Sequence, residues 1–257
     1  MNEINWMKNK KMESYMELSK RLLAVAKLVT PGRKVADIGC DHGYVSIYLA
    51  AVKKCPKVIA MDVKEGPLSH ARTNIQKYGL KNVIDVRLSD GTEALEKNEA
   101  DTLLISGMGG RLMIRILQEG LARLGFFEEL ILQPQTEVDA VRKFLRENEY
   151  IIVDEDFVTE DGKYYPIIKA LYRECVNDEI LSSQYPDCAL VKKGTYSLLQ
   201  EDLFGPVLLR KRPMDFVAYM KQKKEKTEEI IQKITQPEKK KEMQDYLEQL
   251  IVVSKDL

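Results

Sequence analysis

Asp37, Gly39, Asp41 and Gly43 occupy alternate positions of the stretch Asp37-Ile38-Gly39-Cys40-Asp41-His42-Gly43. Apolar residues (Val35, Ala36, Ile38) lead into it, and a helical pattern, Tyr44 to Ala50, follows at once. That succession predicts a strand, a tight turn and a helix start, the place where an open α/β sheet receives a nucleotide-like ligand. Glycines there let the backbone turn sharply and approach a ligand that a Cβ would obstruct. The acids decide the kind of ligand. A dinucleotide would set its pyrophosphate charge against Asp37 and Asp41, whereas a ligand with a cationic middle is attracted by them. S-adenosylmethionine, with its sulfonium and ammonium groups, meets that requirement. The usual dehydrogenase turn, GxGxxG, has a different spacing.

Two further acidic positions extend this reading. Asp62, followed by Val63, ends the next apolar run, 19 residues past Gly43. A carboxylate at that point can accept hydrogen bonds from both hydroxyls of a ribose. Ser89-Asp90-Gly91 closes the third run, where Asp90 can meet an adenine amino group and Gly91 makes room for the ring. A strand-ending Asp is also a common helix cap, but three at successive strand ends, with Gly39 and Gly43 between them, are harder to explain that way. Asp37, Gly39, Cys40, Asp41, His42, Gly43, Asp62, Val63, Asp90, Gly91 and Gly107 are therefore the expected donor-binding residues.

On the acceptor side stands Ser106-Gly107-Met108-Gly109-Gly110, an open backbone platform for a flat base. Gln133-Pro134-Gln135 adds two amides able to read polar edges of a base. Asp41 and the Met108 carbonyl are candidates to accept hydrogen bonds from the target base, so Asp41, Gly107, Met108, Gly109 and Gly110 form the expected catalytic set. His42 can act as a general base or line the ligand. The chain shows no Ser/His/Asp or Cys/His arrangement and no metal motif.

Positioning these residues requires alternating strands and helices. An amphipathic helix is expected over Ser14 to Val29, stopped by Thr30-Pro31-Gly32. Strands follow at Lys34–Ile38, Lys57–Asp62, Val83–Leu88, Thr102–Ser106 and Leu130–Leu132, with helices between and one more after the last strand, capped by Thr136. Tyr150–Val158 and Tyr165–Tyr172, joined by Glu160-Asp161-Gly162-Lys163, predict a hairpin that closes the sheet. The result is a doubly wound α/β sheet, mostly parallel with one antiparallel strand near its edge. From Pro213 the pattern is purely helical and broken at Gln236-Pro237, which predicts an antiparallel, coiled-coil-like helix pair. The expected domains are 1–173 and 174–257.

Composition bounds the partners. The 257 residues carry 40 basic and 40 acidic side chains, so overall charge offers no argument for nucleic acid. Its distribution does: Arg210 to Glu242 holds 11 Lys/Arg against 6 Asp/Glu, and Lys8, Lys10, Lys11, Lys20 and Arg21 cluster near the start. The four cysteines are scattered without a CxxC pair, which suits a reducing compartment. With no apolar leader and no run of membrane-spanning length, the expectation is a cytoplasmic protein without membrane contact.

Together, Asp37-Ile38-Gly39-Cys40-Asp41-His42-Gly43, Ser89-Asp90-Gly91, Gly107-Met108-Gly109-Gly110, Gln133-Pro134-Gln135 and Glu160-Asp161-Gly162-Lys163-Tyr164-Tyr165-Pro166 resemble the bacterial TrmK family, the tRNA (adenine(22)-N1)-methyltransferases of the D-loop. The resemblance covers the catalytic domain by motif and the helical pair by layout. It implies a class I Rossmann-like S-adenosylmethionine domain, a C-terminal coiled-coil-like domain, and methylation of N1 of adenine in tRNA. On that reading Lys221, Lys223, Lys224, Lys226, Lys239, Lys240 and Lys241 contact tRNA phosphates, with Lys8, Lys10, Lys11 and Arg21 continuing the track. Oligomeric state stays open, a monomer being compatible. Alternatives are a methyltransferase acting on another RNA or a small molecule, and a non-catalytic donor-binding RNA-binding protein.

Overall fold

The computed structural model describes residues 18–188, 190 and 196–255. Lys8, Lys10, Lys11 and the start of the first expected helix lie outside the described residues. Strands β1 (Val35–Ile38), β2 (Val58–Asp62), β3 (Ile84–Leu88), β4 (Thr102–Met108), β5 (Glu129–Pro134), β6 (Tyr150–Glu160) and β7 (Lys163–Tyr172) form one seven-stranded sheet in the order β3-β2-β1-β4-β5-β7-β6. β7 runs antiparallel to both its neighbours, and the other pairings are parallel. The hairpin inserts its second strand beside β5 and leaves β6 at the edge. Its turn places Asp161 and Gly162 at φ 49° and 70°, the two left-handed residues that a tight hairpin turn compatible with strand twist demands.

Apolar residues alternate along the strands and feed two layers. One face is covered by α1 (Lys20–Leu28), α2 (Tyr44–Ala51) and α3 (Glu65–Lys77), through Val25, Ile47, Leu49, Leu68 and Ile75. The other is covered by α4 (Gly110–Leu124) and α5 (Val138–Glu147), through Met113, Leu117, Val141 and Leu145. The strand order reverses beside β1, so a crevice opens at the carboxyl ends of β1 and β4.

Past β7 come a 3-10 turn (Arg173–Cys175) and the short helices α6 (Asp178–Gln184), α7 (Leu198–Phe204) and α8 (Leu208–Lys211). The long helices α9 (Met214–Lys233) and α10 (Pro237–Ser254) follow. Phe216 and Met220 near the start of α9 share a core with Leu250 and Val253 near the end of α10, so the pair is antiparallel. Phe157 of β6 belongs to that same core, and the base of the pair therefore rests on the sheet edge. A buried ion pair strengthens this junction. Arg142 of α5 donates to Glu155 of β6 at 2.9 Å and to the Asp202 and Leu203 carbonyls, and Glu155 accepts from the Val207 and Leu208 amides. Among the described residues no helix is long and apolar enough to cross a membrane.

Two local expectations change. β4 continues through a bulge at Gly107 to Met108, because β5 keeps pairing with it as far as Pro134. Thr136 does not cap α5, whose N-cap is Glu137. Its hydroxyl accepts instead from the Gly110 amide at 3.3 Å, capping α4.

Candidate active site

The turn after β1 is held by backbone bonds: the Gly39 and Cys40 amides both donate to the Met61 carbonyl, and the Gly43 amide to that of Cys40. Gly39, Asp41 and Gly43 all take positive φ. A Cβ on Gly39 would meet only the mobile methyl end of Met108, at 2.5 Å, so it is the φ of 74° that favours glycine at this corner. Gly43 caps α2 and packs on Ala71, which makes it a turn and packing residue.

Asp37 is buried, and Ser46 donates to its Oδ2 at 2.6 Å. Burial pushes the carboxyl up to about 6. The Asp62 charge acts in the same direction, and the Ser46 hydrogen bond opposes it. A carboxylate raised by desolvation and lining the cavity suits a cationic ligand. At the end of β2, Asp62 accepts from the Asp41 amide at 3.3 Å and the Lys64 amide at 3.0 Å. Those two bonds orient it and leave acceptor capacity for a diol. Burial, followed by the charges of Asp37, Asp62 and Asp41, pushes the Cys40 thiol far above its usual range. It is no nucleophile at neutral pH.

These groups line a cavity of about 420 Å³ that reaches from Asp37 and Asp62 to Gly107, Met108 and Gln135. A narrower cleft of about 120 Å³ adjoins it, sharing Gly39, Asp62, Val63 and Met108, and continues past Asp90 and Gly91 to Leu112 and Ile116. Val63 and Leu112 are 61 % and 43 % exposed, apolar surface that a flat ring would cover. Asp90 stands at the rim, where Arg115 reaches its Oδ1 at 3.2 Å. Asp41 and His42 sit at the mouth, both half-exposed or more, with His42 Nε2 3.6 Å from Asp41 Oδ1.

The acceptor side departs from expectation in three ways. Gly107 and Met108 line the cavity, but Gly110 packs on the Thr136–Glu137 backbone, 2.5 Å from where its Cβ would sit, and Gly109 faces the Thr136 hydroxyl. Those two glycines let α4 start close to the next loop and are not a floor for a base. Secondly, Arg21 does not continue an outer basic track. It lines the cavity, donating from Nη1 to Gln133 Oε1 at 3.0 Å and Ser106 Oγ at 3.2 Å, with its Cζ 5.4 Å from the Tyr165 ring centroid. The third change concerns the Met108 carbonyl, which accepts from the Gln135 amide at 2.9 Å in the sheet. Residue typing missed Ser46. Its one signal was a small hydroxyl inside an otherwise apolar helix stretch, three positions after Gly43.

On the helical pair, Lys221, Lys239 and Lys241 are exposed and Lys224 and Lys240 half-buried, while Lys223 lies 5.9 Å from the Tyr246 ring centroid. Among the described residues no cluster of three or more potential ligands could hold a metal.

A doubly wound sheet with β7 inserted antiparallel, and a switch-point cleft framed by Asp37 and Asp62, is the architecture of Rossmann-like S-adenosylmethionine-dependent methyltransferases, and residues 18–168 match the methyltransferase domain family. The tRNA (adenine(22)-N(1))-methyltransferase of Bacillus subtilis (strain 168) is 34% identical over 242 residues, covering 91% of this chain and 96% of that protein. The crystal structure of the B. subtilis M1A22 tRNA methyltransferase TrmK is similar with a TM-score of 0.79 and 33% identity, over 93% of this chain and 99% of that one. Streptococcus pneumoniae Sp1610, a putative tRNA (m1A22) methyltransferase solved in complex with S-adenosyl-L-methionine, matches with a TM-score of 0.77 and 32% identity, over 93% and 100% of the two chains. The chain belongs to the tRNA (adenine(22)-N(1))-methyltransferase family, TrmK.

Proposed function

We infer that this protein transfers a methyl group from S-adenosylmethionine to N1 of adenine 22 in the D-loop of tRNA, in the cytoplasm. The observation that carries the reading is the pair Asp37 and Asp62 on either side of the glycine turn, opening into the cleft between Val63 and Leu112. The donor fits what is present: a buried carboxylate for its ammonium, an oriented carboxylate for its ribose, and a narrow apolar slot ending at Asp90 for its adenine. When bound it supplies an electrophilic methyl on a cationic sulfur.

Neutral adenine N1 carries a lone pair, so no residue has to remove a proton before attack. The work of the chain is alignment, worth several kcal/mol when two reactants are held in register. Transfer moves the positive charge from the donor's sulfur to the adenine ring but leaves the donor's ammonium and ribose unchanged, so Asp37 and Asp62, which would hold those two groups, contribute to binding and not to rate. Rigid backbone at Gly39 and at the Gly107 bulge fixes the two sides of the cavity relative to each other. Because N1 is on the pairing edge, the base must be unpaired or turned out of its stack to enter.

Residues 174–257 serve as the tRNA-binding arm, with Lys221, Lys239 and Lys241 on its exposed surface. The test is a methylation assay with labelled donor on tRNA transcripts carrying adenine or guanine at position 22. Label should enter only the adenine transcript, and equal labelling of both would contradict the reading. Asp62→Ala should lower donor affinity at least tenfold by calorimetry, the loss of a good charged hydrogen-bonding site being roughly 1.5–3 kcal/mol. An unchanged affinity would move the ribose contact elsewhere.

A further inference from the structure

Gln133 lies near the end of β5 and Gln135 just past it, and the structure puts them to different uses. Gln133 is fully buried and committed: Oε1 accepts from Arg21 and, at 3.4 Å, from the Ser106 hydroxyl, while Nε2 donates to the Pro134 carbonyl. Gln135 is tied only through its backbone, by the amide that donates to Met108 at 2.9 Å. Its carboxamide lines the donor cavity, with Nε2 3.8 Å from where a Cβ on Gly107 would stand. Arg21 Nη1 lies 3.6 Å from the same point, so the two polar groups flank the bare face of Gly107. Among the described residues the Gln135 carboxamide has no hydrogen-bond partner.

We propose that Gln135 is the specificity-determining residue that reads the target base, its Oε1 accepting from adenine N6 and its Nε2 donating to N7. The proposal rests on the function inferred above. A carboxamide presents one acceptor and one donor side by side, which matches the N6/N7 edge of adenine. Guanine offers two acceptors, O6 and N7, at those positions, so the Gln135 oxygen would face another oxygen. Pyrimidines have no N7. Holding adenine by this edge leaves N1 unobstructed on the far side of N6, free to point at the donor. The alternative acceptors are less suited. The Met108 carbonyl is already engaged by the sheet, and the Asp41 carboxylate, turned to His42, has no donor to offer N7. Arg21, Ser106 and Gln133 act as positioning residues, fixing the strand ends from which Gln135 projects.

The experiment pairs protein and substrate changes. Wild type, Gln135→Ala and Gln135→Glu are assayed on tRNA carrying adenosine, 7-deazaadenosine or purine riboside at position 22. Wild type should lose roughly tenfold or more in kcat/KM on the 7-deaza substrate, the usual worth of one half of a bidentate base contact. Gln135→Ala should lose at least as much on adenosine and nothing further on 7-deazaadenosine. Gln135→Glu keeps an acceptor but sets a carboxylate oxygen against the N7 lone pair, so it should do better on 7-deazaadenosine than on adenosine yet still respond to loss of N6. Donor affinity by calorimetry should be unchanged in both variants. The proposal is overturned if Gln135→Ala keeps wild-type kcat/KM and full sensitivity to 7-deazaadenosine, or if its donor affinity falls, which would put Gln135 on the donor side. Absence of methylation by wild type on the adenosine tRNA would instead sink the inferred function.

Discussion

Asp37 is where residue chemistry is most exposed to test. Its carboxyl is pushed up from 3.8 to about 6, chiefly by burial. A carboxyl raised on folding costs stability above its folded value, and that cost fades as pH falls from about 6 towards 3.8. Asp37→Asn should therefore melt higher than wild type near pH 8, by about 3 kcal/mol of stability at most, and show no gain near pH 4. Asparagine can still accept from Ser46, so packing is preserved. The same variant should lose donor binding, and wild-type donor affinity should decline as pH drops below about 6. A variant no more stable at pH 8 would mean that Asp37 is better solvated than its burial indicates. Gly39→Ala offers a steric check. Its Cβ would press into the Met108 side chain at a positive φ, so it should depress donor affinity and stability together. Donor binding as tight as wild type would show that the corner can open.

At the scale of elements, strand ends were readable because each apolar run gives way to acids and glycines, at Asp37-Ile38-Gly39, at Asp62 and at Ser89-Asp90-Gly91. The hairpin was readable from its Asp-Gly turn. What escaped was everything decided by which strands become neighbours. Gly107 looked like loop because glycines interrupt strands, yet β5 pairs through it and turns it into a bulge. Gly109 and Gly110 looked like an open platform, but it is the approach of Thr136 and Glu137 that requires them to be glycine. Arg21 read as one more surface cation, since nothing in its own segment announces Gln133, Ser106 and Tyr165. The Arg142–Glu155 pair was invisible for the same reason: the two residues are 13 apart and meet only once α5 packs on β6. Glu155→Gln leaves a buried guanidinium without its counter-charge and should cost roughly 3–5 kcal/mol in denaturant unfolding. A cost under about 1 kcal/mol would show that the carbonyls of Asp202 and Leu203 suffice to hold Arg142.

For the whole molecule, the account divides labour between a sheet that binds the donor and a helical pair that meets tRNA. Removing residues 213–257 is a poor test of the second half, because Phe216, Met220, Leu250 and Val253 complete a core with Phe157. Replacing exposed Lys221, Lys239 and Lys241 with Gln leaves that core intact. If all three contact phosphates, the slope of log Kd for tRNA against log salt should fall by about 2–3, with donor affinity unchanged. An unaltered slope would take these lysines off the tRNA surface. The central claim, however, concerns one atom. Incubation of tRNA with the protein and isotopically labelled S-adenosylmethionine, followed by nucleotide-resolution mass mapping, locates the transferred methyl directly. A single labelled nucleoside is expected, N1-methyladenosine at position 22. Label at any other nucleotide, at N6 of that adenine, or nowhere on the tRNA would contradict it.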